Sequence, residues 1–150
     1  MTVVGSCRTV APADRAWAML AVGAAERGVD VGTGRINGFI DRDASPNKTR
    51  SQLLVAALAG LGRIDADAQS GLASNAGLTL GRANDWTRAV DKAAAAGEGG
   101  TVMLLAGIGM QSPDWRRVPP AHLYRITRAL RATGEEYAAR MIAAEAMART

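Results

Sequence analysis

One histidine, one cysteine, one phenylalanine, two tyrosines and two lysines are all that this 150-residue chain has of those types. Each scarcity excludes something. The lone Cys7 allows no internal disulfide and no cysteine-rich metal site. A single histidine means that any Ser-His-Asp relay must use His122, whose helix carries no obvious nucleophile, so His122 reads as a polar residue near a helix start. No cluster of His, Asp and Glu has metal-ligand spacing, so neither a catalytic nor a structural metal is expected, and nothing implies a cofactor. Long apolar runs are missing too. The longest, Thr101 to Met110, is about half of what a bilayer crossing needs and reads as a buried helix, with no membrane span anywhere. Six residues precede Cys7 and none is basic, so no secretion signal is expected within these residues and cytoplasmic residence is the default expectation. If the chain is the C-terminal part of a larger protein, an upstream signal would instead make it periplasmic.

What is abundant is alanine. Of the 48% hydrophobic residues, 31 are Ala, while Leu, Ile, Val and Phe together supply 29. Large apolar side chains are therefore few, but a net charge of +4 is too modest to keep the chain unfolded. Ala has the highest helix propensity and lets helices approach closely, so the composition predicts a single all-α domain over 1-150, with 1-11 irregular. The basic pI comes from 16 Arg against two Lys, scattered along the chain, and reads mainly as coding bias. Arginine gathered on one folded face could still serve an acidic partner.

Glycines mark an internal period. Gly28, Gly62, Gly97 and Gly134 lie 34, 35 and 37 residues apart. Upstream of each is a helical segment: Asp14 to Arg27, Asn47 to Leu61, Asp85 to Ala96, and Pro120 to Thr133, each beginning near a helix-starting Pro, Asn or Asp. Downstream come Asp30, Asp65, Glu98 and the Glu135-Glu136 pair, acids suited to the positive end of a second helix. A glycine can close the first helix in the left-handed conformation, so each unit reads as helix, tight turn, helix. Leu20, Leu54, Ala89 and Ile126 recur eight positions before the glycines, and Ala24, Leu58, Ala93 and Leu130 four before, which is one helical face. The expectation is four antiparallel hairpins, about 12-40, 46-76, 82-110 and 119-149, stacked as a short α-solenoid or a compact helical array. Interior glycines such as Gly34, Gly38, Gly107 and Gly109 each disfavour a helix by about 1 kcal/mol relative to Ala and call for close helix contacts.

A repeat of this length with small residues at its turn resembles, at the superfamily level, the tetratricopeptide-like class of α-hairpin repeats. The resemblance implies a protein-binding scaffold whose first helices line a concave groove.

The glycines of Gly32-Thr-Gly34-Arg-Ile-Asn-Gly38 suggest a phosphate loop only superficially, because no strand precedes them and no Lys-Ser/Thr pair follows. Arg88 and Arg125 both lie nine residues before their glycines, at equivalent points of the third and fourth first helices. Lys92 and Arg128 stand one turn beyond them. With Trp86 they form the candidate partner-binding set: a basic stripe able to clamp a carboxylate or phosphate at two points, against the plainer reading of a solvated face. Trp17, Trp86 and Trp115 read chiefly as packing anchors. Glu136 and Arg140 are spaced as an ion pair, and Met141 and Ile142 are expected to point inward on a last helix whose other, mostly Ala face is compatible with a homo-oligomer. The leading expectation is a non-enzymatic module that binds another protein or an acidic peptide. The second is an Arg-rich helical protein that binds nucleic acid, and the third an accessory domain of an enzyme.

Overall fold

The computed structural model describes residues 12–25 and 28–150. The expectation of an irregular 1-11, and Cys7 with it, lies outside the described residues. Among these, the chain forms eight α-helices and no strand: α1 (Pro12–Gly23), α2 (Thr33–Arg42), α3 (Thr49–Gly60), α4 (Ala66–Ala76), α5 (Asp85–Ala95), α6 (Gly99–Gly109), α7 (Pro120–Ala132) and α8 (Glu136–Arg149). The all-α class is therefore met.

Three of the four glycine hinges do what their spacing predicts. Gly62, Gly97 and Gly134 have φ of 67°, 72° and 81°, a conformation that L side chains rarely adopt. At each, the amide of the next residue reaches back to a carbonyl of the helix just ended: Arg63 to Leu58 at 2.9 Å, Glu98 to Ala93 at 2.9 Å, Glu135 to Leu130 at 2.8 Å. The acids that follow sit at helix N-caps, and Asp65 accepts a 2.7 Å bond from the Ala68 amide. Helix pairs α3–α4, α5–α6 and α7–α8 pack as hairpins about these turns.

The first hairpin differs. α1 ends at Gly23, short of Gly28, and the described part of the connection to α2, residues 24–25 and 28–32, carries no helix. The cause is long-range. Arg63 Nη1 donates to the Ala21 carbonyl at 2.6 Å and its Nη2 to that of Ala24, while Arg140 Nη1 donates to Gly23 at 2.9 Å. Two cations thus hold the negative end of α1 where a glycine cap was expected. Arg140 is thereby diverted from the expected pair with Glu136, and the ion pair on α8 is instead Arg149 with Glu145. Side chains tie α1 to α2: Asp14 accepts a fork from Arg42 (Nε and Nη2, both 2.9 Å) and a 3.3 Å bond from Arg35. Trp17 lies 5.6 Å from the Phe39 ring, under the Arg35 guanidinium at 4.5 Å.

Spatial order departs from chain order. α3 is the centre: Leu53 to Leu58 are all buried, and it packs on α7, α4, α8 and α1. α7 packs on α3, α8, α5 and α6, so the first helices lie in the order α1, α3, α7, α5, with the fourth hairpin set between the second and the third. α8 returns to pack on α1. In an open solenoid each unit touches only its chain neighbours, whereas here α1 contacts α8 and α3 contacts α7.

Close approach depends on small residues. An alanine Cβ at Gly60 would stand 1.9 Å from Thr127 Oγ1 and 2.7 Å from the Tyr124 carbonyl, so α3 and α7 cross backbone to backbone there. At the α1–α8 contact a Cβ on Gly23 would lie 3.3 Å from that of Ala144. Ala139, Ala143, Ala146 and Met147 are the buried residues of α8. This corrects the inward Met141, which is exposed, whereas Ile142 is half-buried and packs against the core: α8 is drawn in along the face of Ala139, Ala143, Ala146 and Met147. The apolar run from Thr101 is a helix as expected, but only Val102 and Ala106 of α6 are buried, because α5 and α7 cover one side of it. Among the described residues no helix is long and apolar enough to cross a membrane.

Candidate partner-binding surface

The candidate residues stand on two amphipathic helices. α5 opens with a reciprocal cap, in which the Asn84 side chain accepts from the Thr87 amide and the Thr87 hydroxyl from the Asn84 amide, both at 2.8 Å. Thr87, Val90 and Ala93 are its buried face, which turns Arg88 and Lys92 outward. α7 opens on Pro119-Pro120 and buries Leu123, Ile126, Thr127, Ala129 and Leu130. The two helices pack directly, as the repeat predicts for adjacent first helices.

The paired Arg88 and Arg125 are not an open clamp. Arg125 Nη1 meets Asp91 Oδ2 at 2.6 Å across the two helices, and Arg88 meets Asp85 at 2.5 Å within α5. Both guanidiniums already hold an acid. Lys92 and Arg128 are exposed and make no ion pair among the described residues; Arg128 lies 6.0 Å above the Tyr124 ring. Beside Arg128 runs a groove of about 410 Å³ between α5 and α7, lined by Asp91, Ala94, Ala95, Arg128, Ala129 and Ala132. Its four alanines leave room for a backbone to come close. Arg128 suits a carboxylate, with the Arg125–Asp91 pair holding the two walls in register.

Trp86 is placed elsewhere. Its Nε1 donates to the Leu105 carbonyl at 2.9 Å, its ring is 4.4 Å from that of His122, and a Cβ on Gly109 would stand 2.3 Å from Cζ2. It joins α5, α6 and α7 as a packing anchor, and His122 Nδ1 bonds the Gly109 carbonyl at 3.0 Å in the same cluster. Gly109→Ala should therefore destabilise the fold by about 2 kcal/mol although alanine favours a helix, since the rigid indole cannot yield. Urea titration followed by tryptophan fluorescence reads this directly, and an unchanged midpoint would refute the contact.

Sequence reading missed a larger cleft of about 750 Å³, where Asp30, Arg63, Asp65, Arg131 and Glu136 meet around the α3–α4 turn. Burial, followed by the nearby Arg140 cation, pushes the Arg63 guanidinium below its ordinary value. No spacing signalled this cluster, because its members come from four separate connections and helix ends. Among the described residues, no group of three or more His, Cys, Asp or Glu could hold a metal ion.

Among the described residues, these helices define an all-helical protein. Compared with protein-family models, with characterised proteins and with solved structures, the chain shows no match.

Proposed function

We propose that the chain is a non-enzymatic binding module that holds an acidic segment of another protein along the α5–α7 groove. The observation that carries this is Arg128, an exposed cation without an acid partner that lines an alanine-rich groove, with Lys92, likewise exposed and without an ion pair, on the outer face of α5. An extended or helical segment laid on Ala94, Ala95, Ala129 and Ala132 would bring its carboxylates to those cations, and Arg128 would hold one in two parallel bonds. The parallel with tetratricopeptide-like hairpin repeats supports the reading at the level of the groove between first helices, not of the stacking order.

The test is fluorescence anisotropy with a labelled glutamate-rich amphipathic peptide and its lysine-rich counterpart. The acidic peptide should bind, more weakly as salt rises, and Lys92→Glu with Arg128→Glu should lower affinity by at least about tenfold. Equal binding by the reversed variant would remove the groove reading. Tighter binding of unrelated duplex DNA, with a steep salt slope, would favour the nucleic-acid alternative.

A further inference from the structure

We propose that α6 is the interface of a symmetric homodimer of this chain. On its outer side Leu104 is 74% exposed, Ile108 54% and Met103 43%, so α6 carries three of the seven exposed large apolar side chains among the described residues, the others being on α1 and α8. Gly100, Thr101 and Gly107 complete that side, all exposed.

Two further observations identify what covers it. The first is charge. The chain carries +4 overall, yet no charged residue occurs from 99 to 113. Two copies repel over most of their surface and are free of that repulsion along α6. In an isologous contact a charge at the symmetry axis meets its own kind, and an uncharged face lets two copies meet without that repulsion. A partner recruited by the positive charge of this chain would dock on cations, and this face has none.

The second is glycine where the monomer has no use for it. Within α6, Gly109 is required by Trp86, but a Cβ on Gly100 or Gly107 would meet nothing within 4 Å. Alanine would fit at both and favour the helix. Gly71 of α4 is equally open, but its neighbours one turn away include Asp67, Ser74 and Asn75. Only on α6 do open glycines alternate with exposed Met, Leu and Ile. In a two-fold antiparallel crossing centred on Leu104, Ile108 of each copy lies opposite Gly100 of the other, and Gly107 opposite Thr101. Branched side chains then enter the gaps left by glycine, and each helix N-terminus lies beside the other's C-terminus.

The experiment is sedimentation velocity on the full chain across a concentration series, with circular dichroism as the folding control. The wild type should associate to a dimer at tens of micromolar, and Leu104→Glu, at a solvent-facing position, should stay folded with association weakened by at least about tenfold. Gly100→Ala with Gly107→Ala supplies the discriminating arm: it should weaken the dimer comparably while raising the melting temperature of the dilute monomer, opposite signs that a purely structural role could not give. A wild type monomeric to about millimolar concentration would overturn the proposal. So would a dimer indifferent to Leu104→Glu, or a glycine double variant that dimerises as tightly as the wild type. The readout is mass, so it stands or falls separately from peptide capture in the α5–α7 groove.

Discussion

Replacing Gly60 with alanine is expected to lower the unfolding free energy by about 3 kcal/mol, at the upper end of what one added methyl does in a packed interior. In most overpacked sites a neighbouring side chain swings aside. Here two of the three nearest atoms are backbone, the Tyr124 carbonyl oxygen at 2.7 Å and the Arg128 amide nitrogen at 3.1 Å from the added carbon. The third, Thr127 Oγ1, bonds the Leu123 carbonyl at 2.8 Å in a fully buried position. The only relief is for α3 and α7 to separate, and they carry Leu53, Leu54, Leu58, Leu123, Ile126 and Leu130, the heart of the apolar core. For a chain of this length the change corresponds to about 10 °C in Tm. Gly71→Ala is the control: open space surrounds Gly71, and the same substitution there should gain up to about 1 kcal/mol. Urea unfolding of both variants checks the pair, and equal midpoints would show that the α3–α7 crossing is looser than described.

Removing the Asp43 carboxylate is expected to cost about 3 to 4 kcal/mol, the range for stripping one partner from a buried ionic pair. Its side chain has no exposed surface. It accepts from the Ser45 amide (2.8 Å), the Ser51 amide (2.8 Å) and the Ser51 hydroxyl (2.6 Å), and lies 3.7 Å from the largely buried Arg50 guanidinium. One carboxylate therefore closes α2, caps the first turn of α3 and balances a buried cation. Asp43→Ala leaves Arg50 with the Thr150 carbonyl as its remaining acceptor and the like charges of Arg15 and Arg116 nearby. Asp43→Asn keeps the shape and should fall between the two.

The same carboxylate sets the acid limit of the fold. Burial alone would raise its pKa, but the bonds from Ser45 and Ser51 outweigh burial and hold it below the ordinary carboxylate value. Asp14 is lowered too, chiefly by its bonds from Arg42. A group depressed in the folded state contributes stability that is complete above its unfolded pKa and lost as pH falls through the folded one. Urea midpoints should thus hold near neutrality and drop below about pH 4, more shallowly in Asp43→Asn. A wild type as stable at pH 2 as at pH 7 would contradict both assignments.

The hinges and the helix faces were legible because they are local. A glycine after a helical run, and Leu54, Leu58, Ile126 and Leu130 four and eight residues before it, state a turn and a buried face within one segment, and all four side chains are buried. Leu20, read as their equivalent, is more than half exposed, because α1 follows a different partner, α8. What could not be read is long-range: Arg63 and Arg140 capping α1, Arg42 forking onto Asp14, and α7 lying between α3 and α5. Residue type says that an arginine wants an acid or a carbonyl, not which one the fold brings. Of the candidate surface, Arg128 lines a groove and Lys92 is exposed, while Trp86, Arg88 and Arg125 were already engaged by neighbours that spacing could not reveal.

The placement of α7 also bears on how the chain comes to be assembled. In a linear stack the first units can settle while later ones are still being made. Here the leucines of α3 can meet α1 and α4 early but lack α7, their main neighbour, until residue 120 and beyond have left the ribosome, so the early half waits with part of its core uncovered for the last quarter to pack beside it. Every nascent length short of that is a chain with its middle partly uncovered, and it is during synthesis, more than at rest, that this fold is most exposed to aggregation.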